Sequence, residues 1–170
     1  MSIVSRDMLI DSVTDNDRLL GVVRRDEVFK RRANFRVVHI LVFSSRGDLL
    51  VQRLANSRNR HPGSWGSSVA GYLFAGEGYQ AAAERRLAEE LGVNSPLNYI
   101  GKTVTDDEGC HKFIAVFSTI HDGPFEYDND HIESVEFLSL ALIRELRMTE
   151  ARKFTPTFLR VLDFYQMHRV

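Results

Sequence analysis

GYLFAGEGYQAAAERRLAEELGV, residues 71–93, joins a glycine-bounded segment to a run rich in Ala, Glu, Arg and Leu. The first part reads as two glycine turns around one carboxylate, Glu77. The second part has strong helix formers throughout, no proline, and Gly92 where a C-terminal cap belongs, so it predicts a helix. Ala83, Leu87 and Leu91 recur every fourth residue and supply the buried side. Glu84, Arg85, Arg86, Glu89 and Glu90 fall on the other sides. Carboxylates gathered beside a glycine turn suit a hard divalent cation, because Mg²⁺ takes oxygen ligands and keeps part of its water.

The rest of the chain supplies a frame for this stretch. At 170 residues, 44% hydrophobic and 26% charged, it has the length and composition of one soluble globular domain, residues 1–170. A net charge of −1 gives no reason to expect a nucleic acid polymer or an anionic membrane as partner. The lone Cys110 excludes an internal disulfide and suits a reducing, cytoplasmic setting. No apolar run approaches the roughly 20 residues that span a bilayer. The opening MSIVSRDMLI lacks both an apolar core and a small-residue cleavage site.

Upstream, Leu9–Val13 and Leu19–Val23 flank the turn cluster Thr14-Asp15-Asn16-Asp17 and read as a β-hairpin. Residues 24–32 form a basic patch on a short helix or loop, read as a solvated face with anion steering as the alternative. Phe35 to Ser44 is a near-continuous apolar run, as in a strand buried on both faces. His39 within it reads as a hydrogen-bonded core histidine. Leu49 to Leu54 returns as a second strand, and a polar loop follows with Trp65 as its anchor. Arg53, Arg58 and Arg60 surround the approach to residue 71, and arginine's planar fork suits phosphate oxygens. Downstream, 99–106, 111–120 and 134–138 read as strands, and 140–147 and 157–169 as helices that cover the sheet. Asp130 and Glu133 are candidates for a further metal ligand or base, weighed against a solvated acidic loop.

The stretch 71–93 resembles the Nudix box, G-x5-E-x7-R-E-U-x-E-E-x-G-U with U aliphatic. Gly71, Glu77, Arg85, Leu87, Glu89, Glu90, Gly92 and Val93 fall on that pattern. One fixed position departs, with Arg86 standing where the box has Glu. The resemblance implies an α/β fold, an α/β/α sandwich with a mixed β-sheet, here preceded by a β-hairpin. It implies a Mg²⁺-dependent hydrolase, with Mn²⁺ an alternative ion. The substrate implied is a small-molecule diphosphate: a nucleoside diphosphate linked to another group, or a related pyrophosphate. Glu89 and Glu90 take the metal-binding and catalytic positions, the Gly71 carbonyl faces the metal, and Glu77 pairs with Arg85 as scaffold. Positions 86 and 90 share a helix face. Arg86 is thus placed to pair with Glu90 in competition with the cation, or to bind the substrate diphosphate. A catalytically weak domain that binds a nucleotide or diphosphate ligand is the alternative function.

The Arg85-Arg86 pair is also similar to the type I isopentenyl-diphosphate isomerases, which share the Nudix fold. The resemblance to that branch spans roughly residues 17–140 and includes the hairpin, the FSSRGDLLVQR segment and the PGSW loop. It also places Arg53 and Arg58 where the isomerase carries diphosphate-binding cations. The isomerase chemistry needs residues this chain lacks. Ala70-Gly71-Tyr72 replaces its Cys-Gly-His, Phe35 a metal-binding histidine, and Cys110 and Lys112 its glutamate pair. Alanine cannot transfer a proton and phenylalanine cannot bind a metal, so isomerisation is not expected. The closer likeness is to the bacterial Nudix hydrolases of the isomerase-like branch. A homodimer is left open.

Overall fold

A computed structural model describes residues 8–169; the reading of the amino-terminal residues 1–7 lies outside them. β1 (Leu9–Val13) and β2 (Leu19–Arg24) form the expected hairpin as a separate two-stranded sheet. Within the basic patch, Arg25–Glu27 makes one 3-10 turn. The main sheet is built from β3 (Phe35–Phe43), β4 (Leu49–Leu54), β5 (Trp65–Gly66), β6 (Val69–Tyr72), β7 (Asn98–Asp107), β8 (Cys110–Ile120) and β9 (Ile132–Leu138). The helices are α1 (Tyr79–Leu91), α2 (Leu140–Thr149) and α3 (Pro156–His168). No helix among the described residues is long and apolar enough to cross a membrane.

The sheet is mixed. β3 runs parallel to β8 from Phe35 opposite Lys112 to Phe43 opposite Ile120. Antiparallel pairing joins β6 to β3, β7 to β8, and β5 and β9 to β4. A parallel pair needs a long crossover, and the chain from β4 through α1 and β7 provides it. Val37, Leu41 and Phe43 of β3 pack with Ile143 of α2 and with Phe158, Val161 and Leu162 of α3. Val38, Ile40 and Val42 alternate with them and pack with Leu87 and Leu91 of α1. Both faces of β3 are therefore covered, which explains a continuous apolar run where a half-exposed strand would alternate. The result is the α/β/α sandwich.

Local signals place α1 well. Its buried side is Ala82, Ala83, Leu87 and Leu91. Gly92 closes it in the left-handed region at φ 66, donating its N–H to the Ala88 carbonyl, a conformation glycine adopts without steric cost. Two expectations need correction. Gly71 does not sit in a turn; it pairs with Val38 inside the sheet. Trp65 is in a short strand rather than a loop, tied by its N–H to Lys153 O and by its carbonyl to Thr155 N, both at 2.9 Å. Ser139 caps α2 by accepting from Leu142 N at 3.1 Å. Ser139→Ala should cost about 1 kcal/mol, read as a fall of roughly 2–4 °C in Tm. An unchanged Tm would show that the cap contributes nothing.

The buried carboxylate of Asp17 ties the hairpin to three elements of the body. Asp17 accepts from Arg36 Nε of β3 at 2.6 Å, Lys102 Nζ of β7 at 2.6 Å and Tyr79 Oη of α1 at 2.7 Å. Its φ is 62, a region that Asp tolerates better than most side chains. From this position the hairpin holds the loop before α1. Leu9 O accepts from Ala75 N at 2.9 Å, and the Asp11 carboxylate accepts from Gly76 N at 3.2 Å.

Candidate active site

The loop between β6 and α1 is organised by Glu77, as expected. Arg85 grips its carboxylate with two donors, Nε to Oε2 and Nη2 to Oε1, each at 2.8 Å. Glu77 Oε1 also accepts from Phe74 N at 2.9 Å, and Arg85 Nη2 reaches Tyr72 O at 3.1 Å. The Arg85 hydrogen bonds, the largest influence, hold the Glu77 carboxyl below its ordinary range. These contacts tie Glu77 and Arg85 to the loop, the arrangement of a scaffold pair, while the remaining Arg85 nitrogen turns to Glu89 on its own helix.

One turn further, the charged face of α1 meets β6. Arg86 Nη2 donates to Glu90 Oε2 and, at 3.4 Å, to Ala70 O. Its Nη1 donates to Glu89 Oε1 at 3.2 Å. Glu89 Oε1 also takes Arg85 Nη1 at 2.9 Å, and Glu90 Oε1 takes Gln52 Nε2 at 3.1 Å. Glu90 is 13% exposed and Glu89 47%, so the Glu90 pair is the less screened and the stronger of the two. The carbonyl brought to this cluster is that of Ala70, not of Gly71 as expected, since successive carbonyls of an extended strand point to opposite edges. Gly71 contributes space instead. A Cβ there would lie 2.8 Å from Arg86 Cδ and 2.9 Å from its Cζ.

These residues open onto a cleft of about 1320 Å³. Gly71, Arg85, Arg86, Glu89 and Glu90 line one side, and Arg58 and Asp130 come from loops around it. Arg58 is exposed as a whole and lines the cleft from its loop. Loss of hydration pushes its pKa down, with Arg25 and Arg86 acting in the same direction and Glu90 opposing. Two sequence candidates fall elsewhere. Arg53 does not line the cleft, and its Nε braces the Gly63 carbonyl at 3.3 Å. Glu133 is an exposed residue of β9 outside the lining. Of the basic patch, Arg25 does line the cleft, with its guanidinium 4.3 Å from the Tyr72 ring centre.

Another part of the lining is a charged group that sequence reasoning did not assemble: Arg60 and Lys112 were read separately, and Asp107 was not singled out as a site residue. Asp107 accepts from Arg60 Nη2 at 2.7 Å and from Lys112 Nζ at 3.0 Å. Burial alone would raise the Asp107 carboxyl, but those two cations outweigh it and hold it below the usual range. Burial pushes the Lys112 ammonium down, opposed by Asp107. Phe35 stacks on Tyr72 with ring centres 5.2 Å apart. No local spacing announces this group, because its members meet through the β3–β8 register and the loop after β4. Gln52 carried a readable signal, since a polar side chain in the apolar strand LLVQRL needs a buried partner. It donates to Ser68 O at 2.9 Å as well as to Glu90.

His39 is a core histidine, as expected, with Nδ1 2.7 Å from Ser67 Oγ. Burial first, and then Lys112, pushes its pKa down to about 3. The folded chain keeps it neutral while the unfolded chain protonates near pH 6.5. Its contribution to stability is therefore present above about pH 6.5 and is lost as the pH falls below it. Its imidazole signals in NMR should not titrate between about pH 5 and 8; a midpoint near 6.5 would overturn the assignment.

Residues 33–158 match the model of the NUDIX domain. The chain belongs to the Nudix family. This Nudix protein is 36% identical over 160 residues to a Pseudomonas aeruginosa protein named uncharacterized Nudix hydrolase PA4841, covering 92% of each chain. It is 28% identical over 163 residues to an isopentenyl-diphosphate Delta-isomerase of Pectobacterium atrosepticum, covering 91% of each. Among solved structures it is similar to DR0079 of Deinococcus radiodurans, with TM-score 0.79 and 21% identity over 95% of this chain and 99% of that one. It also resembles the NUDIX domain of Shewanella oneidensis NrtR complexed with ADP ribose, with TM-score 0.64 and 13% identity over 87% and 100% of the two chains. Nudix hydrolases act on small-molecule diphosphates and generally use divalent metal ions.

The donor chemistry of this Nudix protein suits such an ion in part. Glu89, Glu90 and the Ala70 carbonyl are hard oxygen donors on one spot of the cleft wall. Mg²⁺ commonly binds one or two carboxylates and completes its shell with water and substrate phosphates. Arg86 now holds all three groups. Among the described residues no three His, Cys, Asp or Glu side chains cluster to hold a metal on their own. The set fits a cation that shares ligands with the substrate, once the guanidinium withdraws.

Proposed function

We propose that this Nudix protein hydrolyses a diphosphate linkage in a small molecule, a nucleoside diphosphate joined to another group or a related pyrophosphate, with Mg²⁺ or Mn²⁺ as cofactor. The observation that carries the reading is the placing of Glu89 and Glu90 with Arg58 and Arg86 around one cleft. Glu89 and Glu90 would hold the ion with the substrate's phosphate oxygens, and the bound ion supplies Lewis acidity and an activated water. Arg58 presents a planar fork to the diphosphate. Gln52 holds the Glu90 carboxylate in its orientation, and the Glu77–Arg85 clamp keeps the loop before α1 in place. The cleft exceeds the roughly 300–1,000 Å³ of most ligand pockets. It therefore has room for a molecule such as the ADP ribose bound by the Shewanella domain. The buried free Cys110 suits a reducing cytoplasm.

A second reading, a catalytically weak domain that binds a nucleotide or diphosphate ligand, is favoured by the ion pairs that Arg86 makes with both carboxylates. One panel separates the two. The purified chain is incubated with Mg²⁺ or Mn²⁺ and with nucleoside diphosphates, ADP ribose, dinucleotides and prenyl diphosphates, and products are resolved chromatographically. Hydrolysis of at least one class is expected. Binding by calorimetry without any product would overturn the hydrolase reading in favour of the second. No isomerised product is expected from isopentenyl diphosphate.

A further inference from the structure

We propose that Arg86 is a tethered, exchangeable cation. Before a diphosphate arrives its guanidinium holds Glu89 and Glu90 in place of a divalent ion, and it passes to the phosphates when the ligand binds. This rests on the reading of the cleft as a diphosphate site. An i,i+4 pair on an exposed helix face would be unremarked on its own, but here the guanidinium has a seat built from two elements. Two carboxylates of α1 and the Ala70 carbonyl of β6 surround its Nη atoms. Gly71, the next residue of β6, leaves the space its Nε and Cζ fill, which any Cβ would take.

The seat is also incomplete. Arg86 Nε is buried and has no hydrogen-bond partner. A buried donor left unmatched is costly and calls for a reason. A guanidinium that must leave for phosphate oxygens gives one, since those oxygens would offer acceptors in a planar, bidentate geometry. While Arg86 is seated, the carboxylate charge that attracts a free metal ion is neutralised. When a diphosphate takes the guanidinium, Glu89 and Glu90 become available to the ion that accompanies it. Metal and diphosphate then favour each other's binding by the same factor, as linkage requires. Free metal binds weakly, and the metal site is completed only when there is something to bind.

Two titrations on the full chain test this without turnover. Mn²⁺ alone is followed by the EPR signal of the free ion, and methylenediphosphonate alone, with chelator present, by calorimetry. In Arg86→Gln, Mn²⁺ should bind roughly 5–150-fold tighter than in the unaltered chain, the usual span of coupling between sites. Methylenediphosphonate should bind weaker by a similar factor. Gly71→Ala, which displaces the guanidinium and keeps its charge, should also tighten Mn²⁺, with circular dichroism confirming the fold of both variants. Equal Mn²⁺ affinity in Arg86→Gln and the unaltered chain overturns the proposal, as does unchanged diphosphonate affinity. Opposite shifts in a chain that hydrolyses nothing would keep the exchange and reject the hydrolase reading. Hydrolysis without those shifts would do the reverse.

Discussion

Glu90→Gln is expected to lower kcat/KM for the best diphosphate substrate by on the order of a hundredfold or more. The size follows from the several kcal/mol that a Lewis-acid cation contributes to a phosphoryl transition state, against 1.4 kcal/mol for each tenfold in rate. Glutamine keeps the volume and one acceptor, so the Gln52 side and the helix packing survive. What disappears is the charge on the better-buried carboxylate of the pair, 13% exposed against 47% for Glu89. Glu89→Gln should cost less, because Glu89 is more solvated and already paired with Arg85. Steady-state kinetics with Mg²⁺, beside Tm, give the answer. A Glu90→Gln protein within about threefold of the unaltered enzyme, a difference worth less than 1 kcal/mol, would remove Glu90 from the site.

Asp17→Ala should destabilise the fold by on the order of 3 kcal/mol, the low end for removing one partner from a buried ionic network. The low end applies because Lys102 is 39% exposed and Arg36 18%, so both can rehydrate. For a chain of this size the expected fall in Tm is about 6–12 °C. Burial by itself would raise the Asp17 carboxyl, but its hydrogen bonds with Arg36, Lys102 and Tyr79 outweigh this, and its pKa is lowered from 3.8. The sign is that of a depressed acid. Its contribution is present above about pH 4 and is lost as the pH falls through the folded pKa. The unaltered chain should therefore lose more stability on acidification than the variant does. Activity should fall as well, because the hairpin that Asp17 secures holds the loop of Glu77 through Leu9 O and Asp11. A Tm change under about 2 °C, less than 1 kcal/mol for this length, would sink the argument.

The helix of residues 79–91, its glycine cap and its buried side follow from propensity and a four-residue repeat. These are local quantities, so they are legible in one dimension. The same holds for the Glu77–Arg85 clamp, carried by the box pattern, and for β3, whose apolar run is long enough to require cover on both faces. Where the Arg53 guanidinium goes was not legible, because neither nearness to residue 71 nor the resemblance says which side of β4 it takes; it meets the Gly63 carbonyl. Glu133, one residue into β9, is exposed to solvent, in keeping with the solvated alternative weighed for it. Gly71 reads as a turn residue because glycine favours turns, whereas here its missing Cβ makes room for Arg86.

Family, helix and the spacing that sets Arg86 against Glu90 were thus written in the order of residues, since i,i+4 geometry is a property of any helix. The Ala70 carbonyl at Arg86, Gln52 on Glu90, the Asp107–Lys112–Arg60 group and the Asp17 lock come from folding alone. Each joins residues from different strands and loops. Their meeting depends on sheet register and on how α1 packs over β6, and a one-residue slip in a strand would turn those side chains to the opposite face.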